Sequence, residues 1–584
     1  MKDEKAKNRQ LRNNEYYCMQ EKFDHLYKLG SNNHKFNNLI SDIINPINIR
    51  LAYRNIKGNK GKNAKGVSGK NLNWIARMKL GWYLILVKKN ILHYNPGLIR
   101  RVGIPKTNGK IRYLGIKEPM DKIVEQSILQ VLEPIITSKF HNNSNGFIKG
   151  RSPSRAISQM TGLVISKKLY YVVDIDIKGF FDNIDHGKLI KQLWYLGIRD
   201  KKLIKVISKM LKAKVLGIGT PEKGAPQGGI LSPLLANVYL NELDWWLDSK
   251  TNKGVAFVRF ADDFKILCPS YSIARDMLDK TTRWLEARLK LEVSEEKTKI
   301  VNLKKNYSEF LGIKIRLKKD KGKYKIVSHI KDKSLEKIEA TTKKQVRKIK
   351  ACKNNPKKLD KETEYYNQLV SGIHNYYDIS TNIREDLSKL DWIIKKYLFV
   401  NFKDVLTFES KVESDFITQK YGTQGKGIPC VRGKPLIPIG NINHDIKMYQ
   451  GNKINYFDAK SRNVFYQDLK IHNEYMIYNL LVNPYLEETV EFNDNIIPVF
   501  CGQLGKYKIT NDYMLNINNI EVIKINTKGT DKYDNIIIVN KQVAKLLKIK
   551  GDDIIENIRY KNGLNKIQLD KINKIRKENN LSLI

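Results

Sequence analysis

Cysteine is scarce in this sequence, and the five cysteines present lie far apart. No two of them have the Cys-x-x-Cys spacing, which excludes a disulfide framework and a zinc finger as the basis of the fold. We therefore expect a reducing intracellular setting, namely the cytoplasm of a bacterium, with an organelle left open. The five are Cys18, Cys268, Cys352, Cys430 and Cys501.

Long apolar runs and targeting segments are also missing. No apolar stretch approaches the roughly 20 residues that a membrane-spanning helix needs. The first residues, Met1-Lys-Asp-Glu-Lys5, have the character of neither a signal peptide nor a clear transit peptide. We expect no membrane partner.

Acidic residues are few relative to basic ones. The 584 residues include 106 Lys and Arg against 60 Asp and Glu, a formal net charge of +46 that is spread along the whole chain. An AT-rich genome contributes to such a composition through its Lys, Asn and Ile codons, but it does not explain the shortage of acids. The balance indicates a protein that encloses nucleic acid, and the length predicts several domains.

Against this background, two short stretches concentrate carboxylates. In Tyr171–His186, alternation predicts a strand with Val172, Asp174 and Asp176 on one face. In Phe257–Cys268, two apolar runs flank Ala261-Asp262-Asp263, a pattern typical of a hairpin tip. An Asp pair near a turn is most often a solvated turn or a helix cap. Rigid carboxylates nevertheless suit Mg²⁺, and two such ions can hold the attacking and leaving oxygens of a phosphoryl transfer.

A glycine-rich segment lies between these stretches. It favours the interpretation as a Mg²⁺ site over that as solvated turns or helix caps. It reads Gly224-Ala-Pro-Gln-Gly-Gly-Ile-Leu-Ser-Pro-Leu-Leu-Ala-Asn237. Together with Asp-Ile-Lys-Gly-Phe-Phe-Asp-Asn-Ile-Asp-His186 and Ala-Asp-Asp263, it resembles the group II intron-encoded reverse transcriptase/maturase family. The resemblance is firm from about Ile49 to Asp404 and loose beyond. It implies an α/β right-hand polymerase with fingers and palm, a helical thumb and a small C-terminal α+β domain.

The same resemblance implies a division of the chain into five parts. Their predicted bounds are 1–100 for an N-terminal extension and the start of the fingers, 101–330 for fingers and palm, 331–405 for the thumb (maturase domain X), 406–489 for a linker and DNA-binding region, and 490–584 for a degenerate HNH endonuclease-like domain.

The site residues follow from the family motifs. The catalytic set is Asp176, Asp262, Asp263 and Lys297, of which the three aspartates also bind the metal. Asp176 is the first ligand and Asp174 a supporting residue. Lys297 is expected to donate a proton to the leaving pyrophosphate. The alternative interpretation is an ordinary lysine in a polar turn.

A second set is expected to bind the nucleotide. Lys106 and Arg112 belong to the hairpin Val102–Ile116, for which a basic hairpin facing solvent is the alternative interpretation. Phe181 stands where the family blocks a ribose 2′-hydroxyl, and Gln227 and Gly228 approach template or nucleotide.

The function implied is RNA-directed DNA synthesis with Mg²⁺, together with maturase activity. The expected partners are group II intron RNA, a DNA target that also supplies the primer, and dNTPs, with a homodimer left open. Two alternatives stand beside it: a splicing cofactor that binds RNA without polymerase activity, and a reverse transcriptase associated with phage defence or CRISPR.

The C-terminal region departs from the family pattern. An HNH nuclease needs histidines as base and metal ligand, yet the last histidine of this chain is His472. The expected positions hold Asn540, Ala544 and Lys548, and only Asn535 matches. We predict a folded remnant without nuclease activity.

Overall fold

The computed structural model describes residues 12–105, 109, 111–251, 254–421, 427–445, 455–459, 461–462, 474–548 and 563–584. The chain divides into two compact units. The first combines Met1–Phe140, Phe181–Tyr239 and Asn455–Ile584, and the second combines His141–Phe180 and Leu240–Ile454. The division in chain order given above stays a prediction.

Helices provide most of the regular structure. Those in the described residues are α1 (Asn13–Tyr16), α2 (Gln20–Ser31), α3 (Ile40–Ile43), α4 (Pro46–Lys57), α5 (Leu72–Ala76), α6 (Leu80–Leu92), α7 (Pro119–Thr137), α8 (Pro153–Ser166), α9 (His186–Tyr195), α10 (Lys201–Leu211), α11 (Ser232–Asp248), α12 (Tyr271–Leu289), α13 (Asp332–Ala351), α14 (Pro356–Tyr377), α15 (Ile383–Phe402), α16 (Asp415–Tyr421), α17 (Glu474–Val482), α18 (Val490–Gly502), α19 (Lys541–Lys548) and α20 (Lys566–Glu578). None of these helices has the length and apolar character that crossing a membrane requires.

The strands are short and pair antiparallel throughout the described ladders. They are β1 (Arg100–Pro105), β2 (Ile111–Ile116), β3 (Tyr171–Ile175), β4 (Ala256–Phe260), β5 (Asp263–Cys268), β6 (Lys299–Asn302), β7 (Ser308–Phe310), β8 (Ile313–Asp320), β9 (Lys323–Ile330), β10 (Leu406–Glu409), β11 (Ile428–Val431), β12 (Lys434–Pro435), β13 (Ile520–Lys524) and β14 (Ile536–Asn540).

In the first unit, the core is built around α7, which is buried over most of its length and packs against α2, α4 and α6. The C-terminal segment belongs to the same unit because α18 packs on these N-terminal helices. The buried Asp494 of α18 accepts a hydrogen bond of 2.6 Å from Tyr17 and pairs with Arg54 at 2.9 Å and Lys57 at 2.5 Å. These three partners hold the pKa of Asp494 below its usual range despite its burial.

In the second unit, a four-stranded sheet has the strand order β4-β5-β3-β6. α8 packs on one of its faces with β7, β8 and β9, around Val172, Val258, Leu267 and Phe310. A separate core joins α13, α14 and α15 to the small sheet β10-β11-β12.

Gly and Pro are frequent in the segment Tyr421–Pro435, yet it is not built of loops alone. Outside 422–426, which are not described, it contains β11 and β12. Ile428, Cys430 and Val431 are fully buried and pair with residues of β10. Apolar side chains with a partner strand within reach outweighed the local turn signals.

Candidate active site

The carboxylates predicted from sequence lie at one end of the four-stranded sheet. The β3–β5 register pairs Asp174 with Lys265 and ends at Ile175 and Phe264. Continued by one residue, this register places Asp176 opposite Asp263, and directly opposed residues have Cβ atoms about 4.5–5.5 Å apart. Asp262 lies beside Asp263 in the turn that joins β4 to β5. The structure therefore brings the three predicted aspartates to one end of the sheet.

Asp176 is fixed by the segment that precedes β6. Its backbone carbonyl accepts a hydrogen bond of 2.8 Å from the amide of Ser294. The ammonium of Lys297 lies 3.1 Å from Oδ1 and 3.2 Å from Oδ2 of Asp176, and the Asp176 side chain remains 40% exposed. The predicted proton donor is thus in direct contact with the predicted first ligand.

Lys265 is a buried cation that the sequence motifs do not indicate. Only 3% of its side chain is exposed, and its ammonium pairs with Asp174 and, at 3.1 Å, with Asp263. Burial alone would lower the pKa of Lys265, but the two carboxylates raise it above its ordinary value. The pKa of Asp263 is also raised, first by the partial desolvation of a side chain that stays 42% exposed and then by Asp174 and Asp262, while Lys265 opposes the rise.

The turn of the β4–β5 hairpin has a strained backbone. Ala261 has φ of +57°, a left-handed value that costs free energy for a residue with a side chain. Gly146 lies against this turn, since a Cβ built on it would be 2.2 Å from the Ala261 nitrogen. The glycine is required for this close approach, and it follows Asn145, whose amide donates to the Arg259 carbonyl at 2.8 Å.

Arg259 holds the same turn from inside. Its side chain is fully buried and makes two parallel hydrogen bonds to Asp244, at 2.7 Å from Nε and 2.5 Å from Nη2. Its Nη1 donates to the Ala261 carbonyl at 2.7 Å. A planar guanidinium can bind a carboxylate and a carbonyl at the same time, which an ammonium cannot match in geometry.

In chemical type the candidate ligands suit a hard divalent cation, because all of them are carboxylate oxygens. Asp262 is exposed, and the side chains of Asp176 and Asp263 are 40% and 42% exposed. Within the described residues, no group of three or more His, Cys, Asp or Glu side chains is arranged closely enough to hold a metal ion. The cations that contact Asp176 and Asp263 in the structure are Lys297 and Lys265.

The Pro-Gln-Gly segment is positioned within the first unit by the β1–β2 hairpin. The Gln227 carbonyl accepts a hydrogen bond of 2.7 Å from the amide of Gly115 in β2. Gly228 has φ of +100°, and a Cβ there would be 2.8 Å from the Leu114 side chain and 3.0 Å from the Gly115 carbonyl. Gln227 and Gly228, which were predicted to approach template or nucleotide, therefore pack against strand β2.

Phe181 is attached to the same segment through its backbone. The amide of Ala225 donates to the Phe181 carbonyl at 2.8 Å, and the amide of Gly224 donates to the Ile184 carbonyl at 2.7 Å. The buried ring of His186 contacts the Gly224 carbonyl at 2.7 Å through Nε2. Phe181, Gln227 and Gly228 thus form one connected structure.

A buried ion pair lies below this segment. Lys117 and Glu125, with side chains 5% and 2% exposed, pair with each other, and Glu125 also accepts from the amide of Ile230 at 2.8 Å. Ser232 closes the segment by donating to the Pro226 carbonyl at 2.8 Å. These residues fix the backbone on which Gln227 is presented.

The cations of the β1–β2 hairpin are only partly described. Lys106 lies outside the described residues. Arg112 pairs with Ile104 in the hairpin ladder, and its side chain is exposed three residues before Gly115. Its assignment to the triphosphate stays a prediction.

Sequence reasoning missed several residues that position the site. A buried arginine or lysine inside an otherwise apolar strand, as in Arg259 and Lys265, was the available signal. Their acidic partners, Asp244 and Asp174, could not be paired with them without the fold.

The expected nuclease positions lie in a hairpin followed by a helix, β13-β14-α19. Asn540 caps α19 by accepting from the amide of Val543 at 2.7 Å. Ala544 is buried in the local core, and Lys548 pairs with Glu521 at 2.8 Å. Asn535 donates to the carbonyls of Asn526 and Thr530, both at 2.9 Å.

Comparison with known proteins adds an independent assignment. Residues 104–315 match the family model described as reverse transcriptase (RNA-dependent DNA polymerase). The chain is 32% identical to Protein YkfC of Escherichia coli over 277 residues, which cover 41% of this chain and 72% of that protein.

Two further relatives carry names that refer to introns. Group II intron-encoded protein LtrA of Lactococcus lactis is 30% identical over 349 residues, covering 49% of this chain and 57% of LtrA. Nuclear intron maturase 2, mitochondrial, of Arabidopsis thaliana is 30% identical over 173 residues, covering 22% of this chain and 23% of that protein.

Proposed function

Because the chain belongs to the group II intron-encoded reverse transcriptase/maturase family, and is therefore an RNA-directed DNA polymerase, we propose that Asp176, Asp262 and Asp263 are its catalytic carboxylates. The observation that supports this most is the β3–β5 register, which ends at Ile175 and Phe264. Continued by one residue, it would set Asp176 opposite Asp263, next to Asp262 in the β4–β5 turn.

The divalent cation of the family is proposed to be Mg²⁺, held by oxygens of the same three aspartates. When bound there, it would supply positive charge to the phosphate oxygens during transfer. The chain would contribute rigidity: Arg259 and Gly146 hold the turn that presents Asp262, and Lys265 orients Asp263 and Asp174.

Lys297 is proposed to donate a proton to the leaving pyrophosphate. For this role its ammonium must exchange the Asp176 carboxylate, which it contacts at 3.1 Å, for a phosphate oxygen. The side chain is 61% exposed and has a flexible stem, so it can make this movement.

Nucleotide and template binding is proposed for Lys106, Arg112, Phe181, Gln227 and Gly228. Arg112 and Lys106 would contact the triphosphate of a dNTP. The Phe181 ring would exclude a 2′-hydroxyl by occupying its volume, and Gln227 would contact the template with Gly228 permitting close approach.

The right-hand architecture gives these regions their proposed names. The β1–β2 hairpin belongs to the fingers, the sheet β4-β5-β3-β6 is the palm, and the bundle α13–α15 is the thumb. Residues 490–584 are proposed to be an HNH-like remnant without nuclease activity, since Asn540, Ala544 and Lys548 serve capping, packing and ion pairing.

The biological substrate is proposed to be a group II intron RNA that the protein binds, helps to splice and copies into DNA from a DNA primer. Lys and Arg in excess, 106 against 60 acids, support a polyanionic partner of this kind.

A primer-extension assay tests the proposal. The purified chain, an RNA template, a DNA primer, dNTPs and Mg²⁺ should give extended DNA. Asp262→Asn should lower the rate by at least about a thousandfold, since metal coordination contributes several kcal/mol to such reactions. Asp276→Asn is the matched control, because it removes the same charge from an exposed aspartate on α12 whose ion pair is with Lys280 at the surface.

Two outcomes would contradict the assignment. One is an absence of extension by the wild-type chain with Mg²⁺, and the other is equal activity of the two variants. Splicing of the intron RNA separates the second activity, because Asp262→Asn should retain it while losing DNA synthesis.

A further inference from the structure

A groove in the first unit has an unusual concentration of lysine. It encloses about 700 Å³ and is bordered by α10, by the turn after it and by the segment before β1. Apolar side chains, including Leu98 and Ile190, also line it. The lysines that line it are Lys201, Lys205, Lys209, Lys212 and Lys214.

The geometry of α10 explains how the lysines share one face. The helix buries Leu203, Val206, Ile207 and Met210 on its opposite side. Lys201, Lys205 and Lys209 recur every four residues, a step that advances about 6 Å along a helix. The three lysines therefore form a row that runs along the helix, inclined to its axis by about 26°.

These charges are not neutralised by the protein. Among the residues that the structure describes, no acid lines the groove, and none of its five lysines forms an ion pair. Lys209 donates to the Tyr94 carbonyl at 2.6 Å, which satisfies a hydrogen bond without neutralising the charge. Asp200, the residue before α10, is buried, and its carboxylate accepts hydrogen bonds from the backbone amides of Lys202, Leu203 and Leu39.

Other helices of this chain pair their lysines locally. Lys280 contacts Asp276 on α12 at 2.7 Å, and Lys343 contacts Glu339 on α13 at 2.6 Å, each over a spacing of four residues. Like charges at that spacing destabilise a helix by a few tenths of a kcal/mol per pair. The row on α10 bears this cost without an internal partner, which favours an external anion.

We propose that this groove binds the sugar–phosphate backbone of RNA, with successive phosphates along the lysine row. A concave surface of one charge concentrates its potential on an extended polyanion better than a flat one. Asn95, Ser208 and Thr220 also line the groove and offer uncharged polar groups to 2′-hydroxyls. The surface shares no residue with the carboxylate site, and its role goes beyond the polymerase reaction proposed above.

Binding of a mixed-sequence single-stranded RNA by the full chain, measured over a range of salt concentrations, tests the groove. The variant is Lys201→Gln, Lys205→Gln, Lys212→Gln and Lys214→Gln combined, with Lys209 retained because it holds Tyr94. Removing four lysine–phosphate pairs from the complex with a single strand should flatten the slope of log affinity against log salt by about 3. The wild type should then lose roughly fiftyfold more affinity than the variant when salt rises fourfold.

The matched control removes the same charge elsewhere. It replaces Lys318, Lys319, Lys321 and Lys323, exposed at the β8–β9 hairpin, by glutamine. Its slope should stay within about one unit of the wild type, and a variant with arginine at the four groove positions should bind as the wild type does.

An unchanged slope in the groove variant, or an equal change in the hairpin control, would overturn the inference. Loss of binding in the arginine variant would also count against it, since arginine keeps the charge. Thermal melting of every variant verifies folding. Primer extension on a short template should be unchanged in the groove variant, so a failure of polymerase activity in the wild type is distinguishable from a failure of the groove.

Discussion

The hairpins β4–β5 and β13–β14 both carry polar residues at positions where catalytic groups are expected, but they use them differently. In β4–β5, Arg259 and Lys265 are buried charges inside an apolar sheet, and they hold Asp244, Asp174 and Asp263. In β13–β14, the expected catalytic positions have been absorbed into ordinary structure, with Asn540 as a helix cap and Ala544 in the core.

The difference teaches how to recognise a retained site. Buried ions are costly, and a core of apolar residues is often as stable as a buried ion pair. A hairpin that keeps such ions, together with a strained Ala261, indicates a function that requires them. A hairpin whose polar residues all serve capping or surface pairing needs no function to explain it.

Breaking the Arg259–Asp244 pair should have the largest effect. Arg259→Met leaves the Asp244 carboxylate buried and unpaired, which should lower the free energy of unfolding by about 3–5 kcal/mol. The matched control is Arg288→Met, because Arg288 pairs with Glu242 on the same helix as Asp244 at 3.0 Å but is 61% exposed, and its loss should cost about 0–1 kcal/mol. Urea unfolding measures both.

Equal destabilisation by Arg259→Met and Arg288→Met would show that the buried ion pair of the β4–β5 hairpin matters no more than an exposed one. Arg259→Lys refines the test. It keeps the charge, but an ammonium cannot reproduce the bonds to both Asp244 oxygens and the Ala261 carbonyl. Expressed as a free energy, the loss in the rate of primer extension by Arg259→Lys should therefore exceed its loss in the free energy of unfolding.

Gly146→Ala should damage activity more than stability. Its methyl group would be 2.2 Å from the Ala261 nitrogen and would displace the turn that presents Asp262. A shift of about 1 Å in a catalytic group can cost roughly a hundredfold in rate. The measurement is kcat for primer extension beside a thermal melt.

Gly162→Ala supplies the comparison for that substitution. Gly162 lies in α8, and a Cβ there meets nothing within 4 Å. Alanine should therefore leave activity unchanged and stabilise the helix by up to about 1 kcal/mol. Full activity of Gly146→Ala would show that the turn tolerates displacement.

In β13–β14, Asn540→Ala should cost about 1 kcal/mol of stability by removing the cap of α19. Asn540→Asp, which keeps a capping oxygen, should stay near the wild type, and both can be compared by urea unfolding. Neither this region of the wild type nor Asn540→His should cleave duplex DNA. Site-specific cleavage of DNA by the wild type would show that β13–β14, like β4–β5, belongs to a working catalytic site.

The smallest effect concerns two thiols, Cys268, which is buried, and Cys501, which is half-buried. Burial raises the pKa of Cys268 in β5 to about 12 and that of Cys501 in α18 to about 11. Less thiolate at a given pH means slower alkylation, so near neutral pH both should react far more slowly than in the unfolded chain, and Cys268 more slowly than Cys501. Mass spectrometry of the labelled folded protein gives the order. If Cys501 is alkylated as fast in the folded protein as in the chain unfolded by urea, the packing around α18 does not protect this thiol.

Much of the site was predictable because its residues stand in local patterns. Strand alternation in Tyr171–Ile175 and the Ala261-Asp262 turn both depend on neighbours in sequence, and both occur in the structure. Arg259, Lys265 and Gly146 were not predicted as site residues, because their roles depend on partners 15, 91 and more than 100 residues away along the chain.

The sequence by itself determined the carboxylates, the glycine-rich segment between them, the excess of positive charge and the missing histidines of the C-terminal region. Only the tertiary structure decided which cation faces which carboxylate and that α18 packs with the N-terminal helices. The physical reason is that periodicity and turn chemistry act over a few residues, whereas ion pairing and close backbone approach join segments whose separation in sequence carries no signal.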